Sequence, residues 1–176
     1  KLERFSARLG INIYIKRDDL TGMECSGNKI RKLEFAVREA LDQGADTLIT
    51  CGGLQSNHCR ATAAVAARLG LRSCLVLRSA DPSPKADGNL LIDRMLGADI
   101  RFIDADAYRN HRSAIMESLA REYEAKGHRA YIIPEGASNG IGTFGYLTCM
   151  EEIAEQERQM GLTFDTIVDA VGSGGT

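Results

Sequence analysis

The apolar positions of this chain follow two periods that alternate along its length. Short apolar runs bounded by glycine, proline or charged residues predict strands at 11–16, 47–51, 73–77, 100–103, 130–133 and 166–171. Between them, apolar residues three and four positions apart predict helices at 29–43, 61–69, 89–96, 109–125 and about 143–160. Strands that alternate with helices form βαβ units with parallel pairing, so the pattern predicts an α/β fold.

The first predicted helix is the most informative, because two lysines lie in its first turn. Its apolar face consists of Ile30, Leu33, Val37, Ala40 and Leu41. Gly44 marks its predicted end, since glycine readily adopts the left-handed conformation that follows a helix. Lys29 and Lys32, three residues apart, project from a neighbouring face.

Cations at the N-terminus of a helix oppose the positive end of its dipole, so these lysines need an explanation. One interpretation is a solvated basic surface. The other is that Lys29 is kept partly deprotonated, as a nucleophile for a carbonyl group, while Lys32 binds an anion. The turn residues Gly27 and Asn28, directly before Lys29, favour the second interpretation.

Two glycine-rich segments follow predicted strands, where α/β proteins place ligands. The segment 172–176, Gly-Ser-Gly-Gly-Thr, offers backbone N–H groups and hydroxyls to a phosphate, although it also fits a plain flexible loop. The segment 52–58 reads Gly-Gly-Leu-Gln-Ser-Asn-His. Its Ser56 and Asn57 are candidates either for ligand binding or for the N-cap of the next helix. His58 is more typical of a helix surface than of a general base.

The composition is that of an ordinary globular protein of one or two domains, with 176 residues, 44% hydrophobic and 26% charged. A net charge of -2 gives no support to a nucleic-acid or membrane partner. No run of 18 apolar residues occurs, so no transmembrane helix is expected. The three histidines lack the spacing of metal ligands, so no metal site is expected.

The five cysteines include no Cys-x-x-Cys pair and predict reduced thiols in a reducing compartment, the cytoplasm. The first ten residues lack the apolar core of a signal peptide. They also lack an initiator methionine, so a removed organellar leader stays open. A predicted strand running into 172–176 without the helix expected behind it suggests a portion of a longer protein.

Four segments, in this order, resemble the 1-aminocyclopropane-1-carboxylate deaminase / D-cysteine desulfhydrase family. They are Ser-Gly-Asn-Lys-Ile-Arg-Lys-Leu-Glu-Phe (26–35), Cys-Gly-Gly-Leu-Gln-Ser-Asn-His-Cys-Arg (51–60), Pro-Glu-Gly-Ala-Ser-Asn (134–139) and Gly-Ser-Gly-Gly-Thr (172–176). That family belongs to the fold type II pyridoxal-phosphate enzymes, with a three-layer α/β fold and a parallel sheet. The resemblance implies a pyridoxal 5'-phosphate cofactor, a small amino-acid substrate, a place in amino-acid metabolism and a homodimeric full-length protein.

The resemblance also implies a role for each matching residue. Lys29 forms the Schiff base with the cofactor aldehyde and moves the substrate α-proton, and Lys32 lies near the cofactor phosphate. Ser56, a second catalytic residue, and Asn57 meet the substrate carboxylate and the cofactor ring hydroxyl. His58 lies beside the carboxylate, at a position where the deaminases of the family have glutamine. The phosphate site is Gly172, Ser173, Gly174, Gly175 and Thr176.

The family's architecture implies a small domain at 32–140 and a large domain that includes 1–31 and 141–176. The family's C-terminal half is absent from this sequence, so the 176 residues alone are expected to bind the cofactor poorly and to be inactive. His58 favours elimination of sulfide from D-cysteine, or a related β-substituted amino acid, to give pyruvate and ammonia. The alternatives are cyclopropane ring opening and sulfite elimination from L-cysteate. A non-catalytic phosphate-binding module is the alternative from a different class.

Overall fold

Helices and strands alternate along the chain. The computed structural model describes residues 1–22 and 26–171. The helices are α1 (Glu3–Leu9), α2 (Lys29–Asp42), α3 (Asn57–Leu69), α4 (Gly88–Met95), α5 (Ala105–Glu124) and α6 (Gly140–Met160). The strands are β1 (Thr47–Gly53), β2 (Arg72–Arg78), β3 (Asp99–Ile103) and β4 (Ala130–Ile132). Two 3-10 turns lie at Asp18–Leu20 and Glu135–Ala137.

The four strands form one parallel sheet in the order β3-β2-β1-β4. The register places Thr47 of β1 opposite Arg72 of β2 and Ala130 of β4. The predicted α/β fold with a parallel sheet is therefore confirmed. Because all strands run in one direction, the loops after β1 and β4 leave the same edge of the sheet.

Side chains of opposite faces of the sheet enter different cores, which gives the molecule three layers. On one face, Ile49 and Cys51 of β1 pack with Tyr108, Met116 and Leu119 of α5. On the other face, the cores contain residues of α2, α3 and α4, including Leu33, Ala36, Ala61, Ala63 and Leu90. α6 packs against α2 rather than on the sheet.

The observed ends of the helices lie close to the glycines that predict them, whereas some observed starts lie several residues before the predicted starts. Gly44, with a φ of 73°, follows α2 as expected. α3 starts four residues earlier than predicted because the Ser56 side chain caps it. α5 likewise starts at Ala105 because Asp104 accepts a hydrogen bond from the N–H of Ala107. The predicted loop at 52–58 is therefore short, since β1 runs to Gly53 and α3 begins at Asn57.

Two predicted strands, 11–16 and 166–171, are wrong: within the described part of the chain neither pairs with a strand. The backbone of Ile13 instead contacts the α1 region, accepting from the N–H of Leu2 and donating to Oγ of Ser6, both at 2.9 Å. In the second segment Val168 is 91% exposed. Alternating apolar residues form a strand only beside a neighbour that takes up their backbone hydrogen bonds.

No helix within 1–22 and 26–171 combines the length and the apolar character needed to cross a bilayer.

Candidate active site

The first part of the site is the first turn of α2, which starts at Lys29 and carries Lys32 three residues later. Lys29 is half-buried, whereas Lys32 is completely buried and its Nζ donates a hydrogen bond to Oγ of Ser138 at 2.9 Å. Burial, and then the charge of Lys29, lower the pKa of Lys32 to about 8. The interpretation as a solvated basic surface is wrong for Lys32. Desolvation therefore acts on Lys32, the lysine for which the sequence predicts an anionic partner.

Arg31 connects the first turn of α2 to two distant elements. Its Nε and Nη2 donate to the carboxylate of Asp18 at 2.7 and 2.8 Å. Its Nη1 and Nη2 donate to the carboxylate of Glu152 in α6 at 3.0 and 2.9 Å. The bonds from Arg31, and then the contact with Lys16, lower the pKa of Glu152 to about 2. Paired, bidentate bonds of this kind fix orientation as well as distance, so they set the direction of the turn that carries the lysines.

α6 crosses α2 at Gly145, and this crossing requires a residue without a side chain. A Cβ at Gly145 would lie 2.2 Å from the backbone oxygen of Arg31 and 2.9 Å from the nitrogen of Lys32. Both atoms belong to the backbone, so no side-chain rotation could relieve the contact. The close approach places α6 directly against the lysine-bearing turn.

The start of α3 forms the second part of the site. Oγ of Ser56 accepts a hydrogen bond from the N–H of Cys59 at 3.2 Å, so Ser56 is the N-cap that the sequence left as one alternative. A Cβ at Gly52 would lie 2.6 Å from that Oγ, so glycine at the end of β1 makes room for the serine. Asn57 is exposed at the first helical position, and its Oδ1 accepts from Nδ2 of Asn89 at 2.9 Å.

His58 lies beneath this helix start and not on its surface, which corrects the surface interpretation. Only 3% of the residue is exposed, and its Nε2 lies 2.8 Å from Oγ1 of Thr50. That hydroxyl donates its one hydrogen to the backbone oxygen of Ile133 at 2.8 Å, so Nε2 carries the hydrogen that it donates to Thr50. Nδ1 is then the acceptor nitrogen, buried and without a hydrogen-bond partner among the described residues.

The ring of His58 is neutral across the physiological range. Burial, and then the charges of Lys29 and Lys32, lower its pKa to about 3. A contact of His58 with a substrate carboxylate stays a prediction, and it would involve an uncharged, buried ring rather than a cation.

The starts of α2 and α3 adjoin each other. Nη2 of Arg60 in α3 donates to the backbone oxygen of Ser26, just before α2, at 2.9 Å. The two lysines are also close enough to His58 to lower its pKa. The structure thus brings together the regions of Lys29, Lys32 and 56–58. The predicted phosphate site at 172–176 lies outside the described residues.

Ser138 and Asn89 are among the residues of this region that were absent from the set predicted from sequence. Ser138, the partner of Lys32, lies in the segment 134–139 that shares in the family resemblance, so a signal for it existed. Asn89, the partner of Asn57, is a single polar residue near the start of α4 and belongs to no motif.

The chain is similar to known proteins along its whole length. The family model described as pyridoxal-phosphate dependent enzyme matches residues 1–176. The mitochondrial bifunctional D-cysteine desulfhydrase/1-aminocyclopropane-1-carboxylate deaminase of Arabidopsis thaliana is 51% identical over 174 residues, covering 95% of this chain and 43% of the relative. The D-cysteine desulfhydrase of Serratia proteamaculans (strain 568) is 44% identical over 180 residues, covering 100% of this chain and 54% of the relative.

A solved structure has a similar backbone. The crystal structure of an ACC deaminase homologue superimposes with a TM-score of 0.86 at 42% identity, covering 99% of this chain and 51% of that chain. These matches confirm the predicted family resemblance and the fold type II architecture. The chain spans about half the length of the relatives it matches.

Proposed function

Since this chain belongs to the family of pyridoxal-phosphate dependent enzymes, we propose that the whole protein is a lyase that releases sulfide from D-cysteine. A related β-substituted amino acid is an equally suitable substrate class, and the products are pyruvate and ammonia. The observation that carries this proposal is the meeting of two lysines at the start of α2 with Ser56 and Asn57 at the start of α3. Relatives that match nearly all of the chain bear the names of this activity.

The donor set in this region fits pyridoxal phosphate. The cofactor carries an aldehyde, which an amine binds, and anionic oxygens, which N–H and O–H groups bind. Lys29 and Lys32 supply amines, and Ser56 and Asn57 supply a hydroxyl and an amide. When bound, the cofactor supplies an electron sink for negative charge at the substrate α-carbon.

The proposed roles of the chain's own residues follow from this chemistry. Lys29 would hold the cofactor through its aldehyde, and its Nζ, once free, would accept the proton from the substrate α-carbon. Lys32 assists in holding the phosphate, together with 172–176. Ser56 and Asn57 orient the substrate carboxylate and the cofactor ring oxygen, and His58 supports them from below. The neutral state of His58, with a pKa of about 3, supports a positioning role rather than proton transfer.

Elimination of sulfide from D-cysteine needs no co-reactant other than water. The α-proton leaves, the bond between the β-carbon and sulfur breaks, and sulfur departs as sulfide. Addition of one water then releases ammonia and leaves pyruvate. Opening of a cyclopropane ring needs a different placement of acid and base, because its α-carbon bears no hydrogen.

Ring-opening deamination is the second candidate, favoured by the bifunctional name of the Arabidopsis relative. The deciding measurement uses full-length protein with D-cysteine, 1-aminocyclopropane-1-carboxylate and L-cysteate in parallel. We expect sulfide and pyruvate from D-cysteine to exceed 2-oxobutyrate from the cyclopropane amino acid. Efficient 2-oxobutyrate formation with negligible sulfide release would replace the first candidate by the second. Sulfite release from L-cysteate as the main reaction would replace both.

The arrangement of the whole protein is also proposed. We assign 32–140 to a small domain, and 1–31 with 141–176 to a large domain, which is supported by the confinement of the four-stranded sheet to residues 47–132. The apolar face of α6 is about half exposed at Phe144, Leu147 and Met150, which supports its being covered by another protein surface. We assign that surface to the remainder of the full-length protein, a cytoplasmic homodimer. Light scattering on the full-length protein tests the dimer, and a monomer mass would contradict it.

A further inference from the structure

Asn89, at the start of α4, contacts the loop that carries Ser56 and Asn57. Its Nδ2 donates to the backbone oxygen of Gln55 and to Oδ1 of Asn57, both at 2.9 Å. Its backbone N–H donates to Oε1 of Gln55 at 2.8 Å. Three hydrogen bonds of one residue therefore join α4 to the start of α3.

These contacts determine which end of the Asn57 amide faces Asn89. A backbone carbonyl only accepts hydrogen bonds, so the Asn89 atom that faces Gln55 is the amide nitrogen. The same nitrogen faces Asn57, and the atom opposite it must therefore be the acceptor Oδ1. The donor end of Asn57, Nδ2, is consequently turned away from Asn89.

The residues before Asn89 hold Gln55 in a single orientation as well. Nε2 of Gln55 donates to Oδ1 of Asp87 at 3.1 Å, while its Oε1 accepts from Asn89. Gly88 has a φ of 50°, and a Cβ there would lie 2.4 Å from Oε1 of Gln55. The turn at 87–89 thus binds both ends of the exposed Gln55 side-chain amide and limits movement of the loop that leads to Asn57.

We propose that Asn89 is a positioning residue that holds the Asn57 amide with its Nδ2 directed at an oxygen acceptor of the ligand. The inference rests on the proposed function, in which Asn57 meets the cofactor ring oxygen or the substrate carboxylate. Both oxygens carry negative charge, which an N–H donor attracts and an amide oxygen repels. Asn89 acts by preventing the 180° rotation of the Asn57 amide that would present the oxygen instead.

The test uses the full-length protein and two changes at one position. In Asn89→Ala the Asn57 amide can rotate, and we expect the dissociation constant of pyridoxal phosphate or the KM for D-cysteine to rise about two- to tenfold. Asn89→Asp replaces the donor by an acceptor, so the Asn57 Nδ2 turns toward it and Oδ1 faces the ligand. Although Asp is closer in shape to Asn than Ala is, we expect Asn89→Asp to weaken binding more than Asn89→Ala.

A double-mutant cycle with Asn57→Ala separates positioning from a structural contribution. In the Asn57→Ala background Asn89→Ala should lose its effect on the dissociation constant and KM, and Asn89→Asp should keep only the part that comes from its negative charge, whereas any fall in melting temperature should persist there. Asn110→Ala is the control, because it removes a 2.8 Å hydrogen bond that the exposed Asn110 donates from Nδ2 to Asp106 in α5. It should change neither binding constant.

Two results would overturn the inference in different ways. If Asn57→Ala weakens binding but the changes at Asn89 do not, or act equally without Asn57, Asn89 does not position Asn57. If Asn57→Ala itself leaves the dissociation constant and KM unchanged, the proposed role of Asn57 is wrong, and the role of Asn89 with it.

Discussion

The starts of α2 and α3 adjoin each other in the candidate site, yet opposite kinds of contact hold them. The start of α2 is charged: Arg31 binds two carboxylates, and the buried Lys32 donates to Ser138. Residues 56–58 at the start of α3 make neutral contacts: Ser56 caps its own helix, and His58 donates to the hydroxyl of Thr50. The start of α2 carries the amines, whereas residues 56–58 carry uncharged donors and acceptors.

The difference lies in what each start depends on. A buried charge is costly unless other groups solvate it, and at α2 those groups come from distant elements: Ser138 is 106 residues away and Glu152 is 121 residues away. At α3 the cap lies three residues from its donor, and Thr50 lies eight residues from His58. Changes at α2 should therefore have large and pH-dependent effects, whereas changes at α3 should have small effects without pH dependence.

The largest expected effect is that of Lys29→Ala in the full-length protein. Loss of the amine should abolish the visible absorption of the bound cofactor and its borohydride-reducible linkage, with the fold preserved, because Lys29 is only half-buried. Absorption spectra, mass spectrometry after borohydride treatment and circular dichroism measure these three properties. Lys85→Ala, at an exposed lysine, is the control. A linkage that survives Lys29→Ala would make the desolvated Lys32 the attachment site.

Lys32→Met comes next, because it removes a buried amine and leaves a side chain of similar length. The pKa of Lys32 is about 8 when folded, against an ordinary value of 10.5, so the unfolded chain binds more protons between these two pH values. Stability of the native protein should therefore rise with pH through this interval. Below about pH 8 the full cost of burying the charge, about 3 kcal/mol, opposes folding.

Urea unfolding near pH 7 and near pH 10 measures this effect. Lys32→Met should be more stable than the native protein near pH 7, and the difference should shrink near pH 10. The same change should weaken pyridoxal phosphate binding by about 1.5–3 kcal/mol if Lys32 donates to the phosphate. Parallel stability profiles would contradict the lowered pKa of Lys32, and an unchanged affinity would remove Lys32 from the cofactor site.

The same contrast between local and distant contacts explains which features of the structure could be predicted from the sequence and which could not. The four paired strands and the glycine that follows α2 were predictable, because buried apolar runs and helix ends are local patterns. The segments 11–16 and 166–171 have strand-like alternation, but pairing depends on a neighbour that alternation does not encode. The hydrogen bonds from Lys32 to Ser138 and from Asn89 to Asn57 join residues far apart in the sequence, so no spacing pattern predicts them.

Gly145→Ala tests the contact between α6 and α2 with a smaller expected effect. The added methyl group would meet backbone atoms of Arg31 and Lys32 and push α6 away, at a cost of about 2 kcal/mol. Gly140→Ala is the matched control in the same helix, where a Cβ has open space within 4 Å. It should leave stability unchanged or raise it by up to about 1 kcal/mol. Thermal unfolding of both variants gives the comparison, and equal melting temperatures would show that the crossing tolerates a side chain.

The smallest expected effect is that of His58→Gln, among the neutral contacts at the start of α3. Glutamine also carries an N–H that can donate to Oγ1 of Thr50, so stability should change by less than about 1 kcal/mol. Because the pKa of His58 is about 3, the ring does not titrate near neutrality, and the dependence of kcat/KM on pH between about 6 and 9 should stay unchanged. Thr50→Val, which removes the hydroxyl between His58 and Ile133, is the companion variant and should cost more stability.

What His58→Gln should change is the choice of substrate. Glutamine at this position resembles the deaminase pattern, and it alters the group beneath Ser56 and Asn57 without adding charge. We expect the ratio of 2-oxobutyrate from the cyclopropane amino acid to sulfide from D-cysteine to rise a few-fold in the full-length variant. A loss of an ionisation from the kcat/KM profile would instead mean that His58 titrates during turnover. An unchanged product ratio together with an unchanged profile would limit His58 to supporting the fold, and the choice of substrate would then depend on other residues.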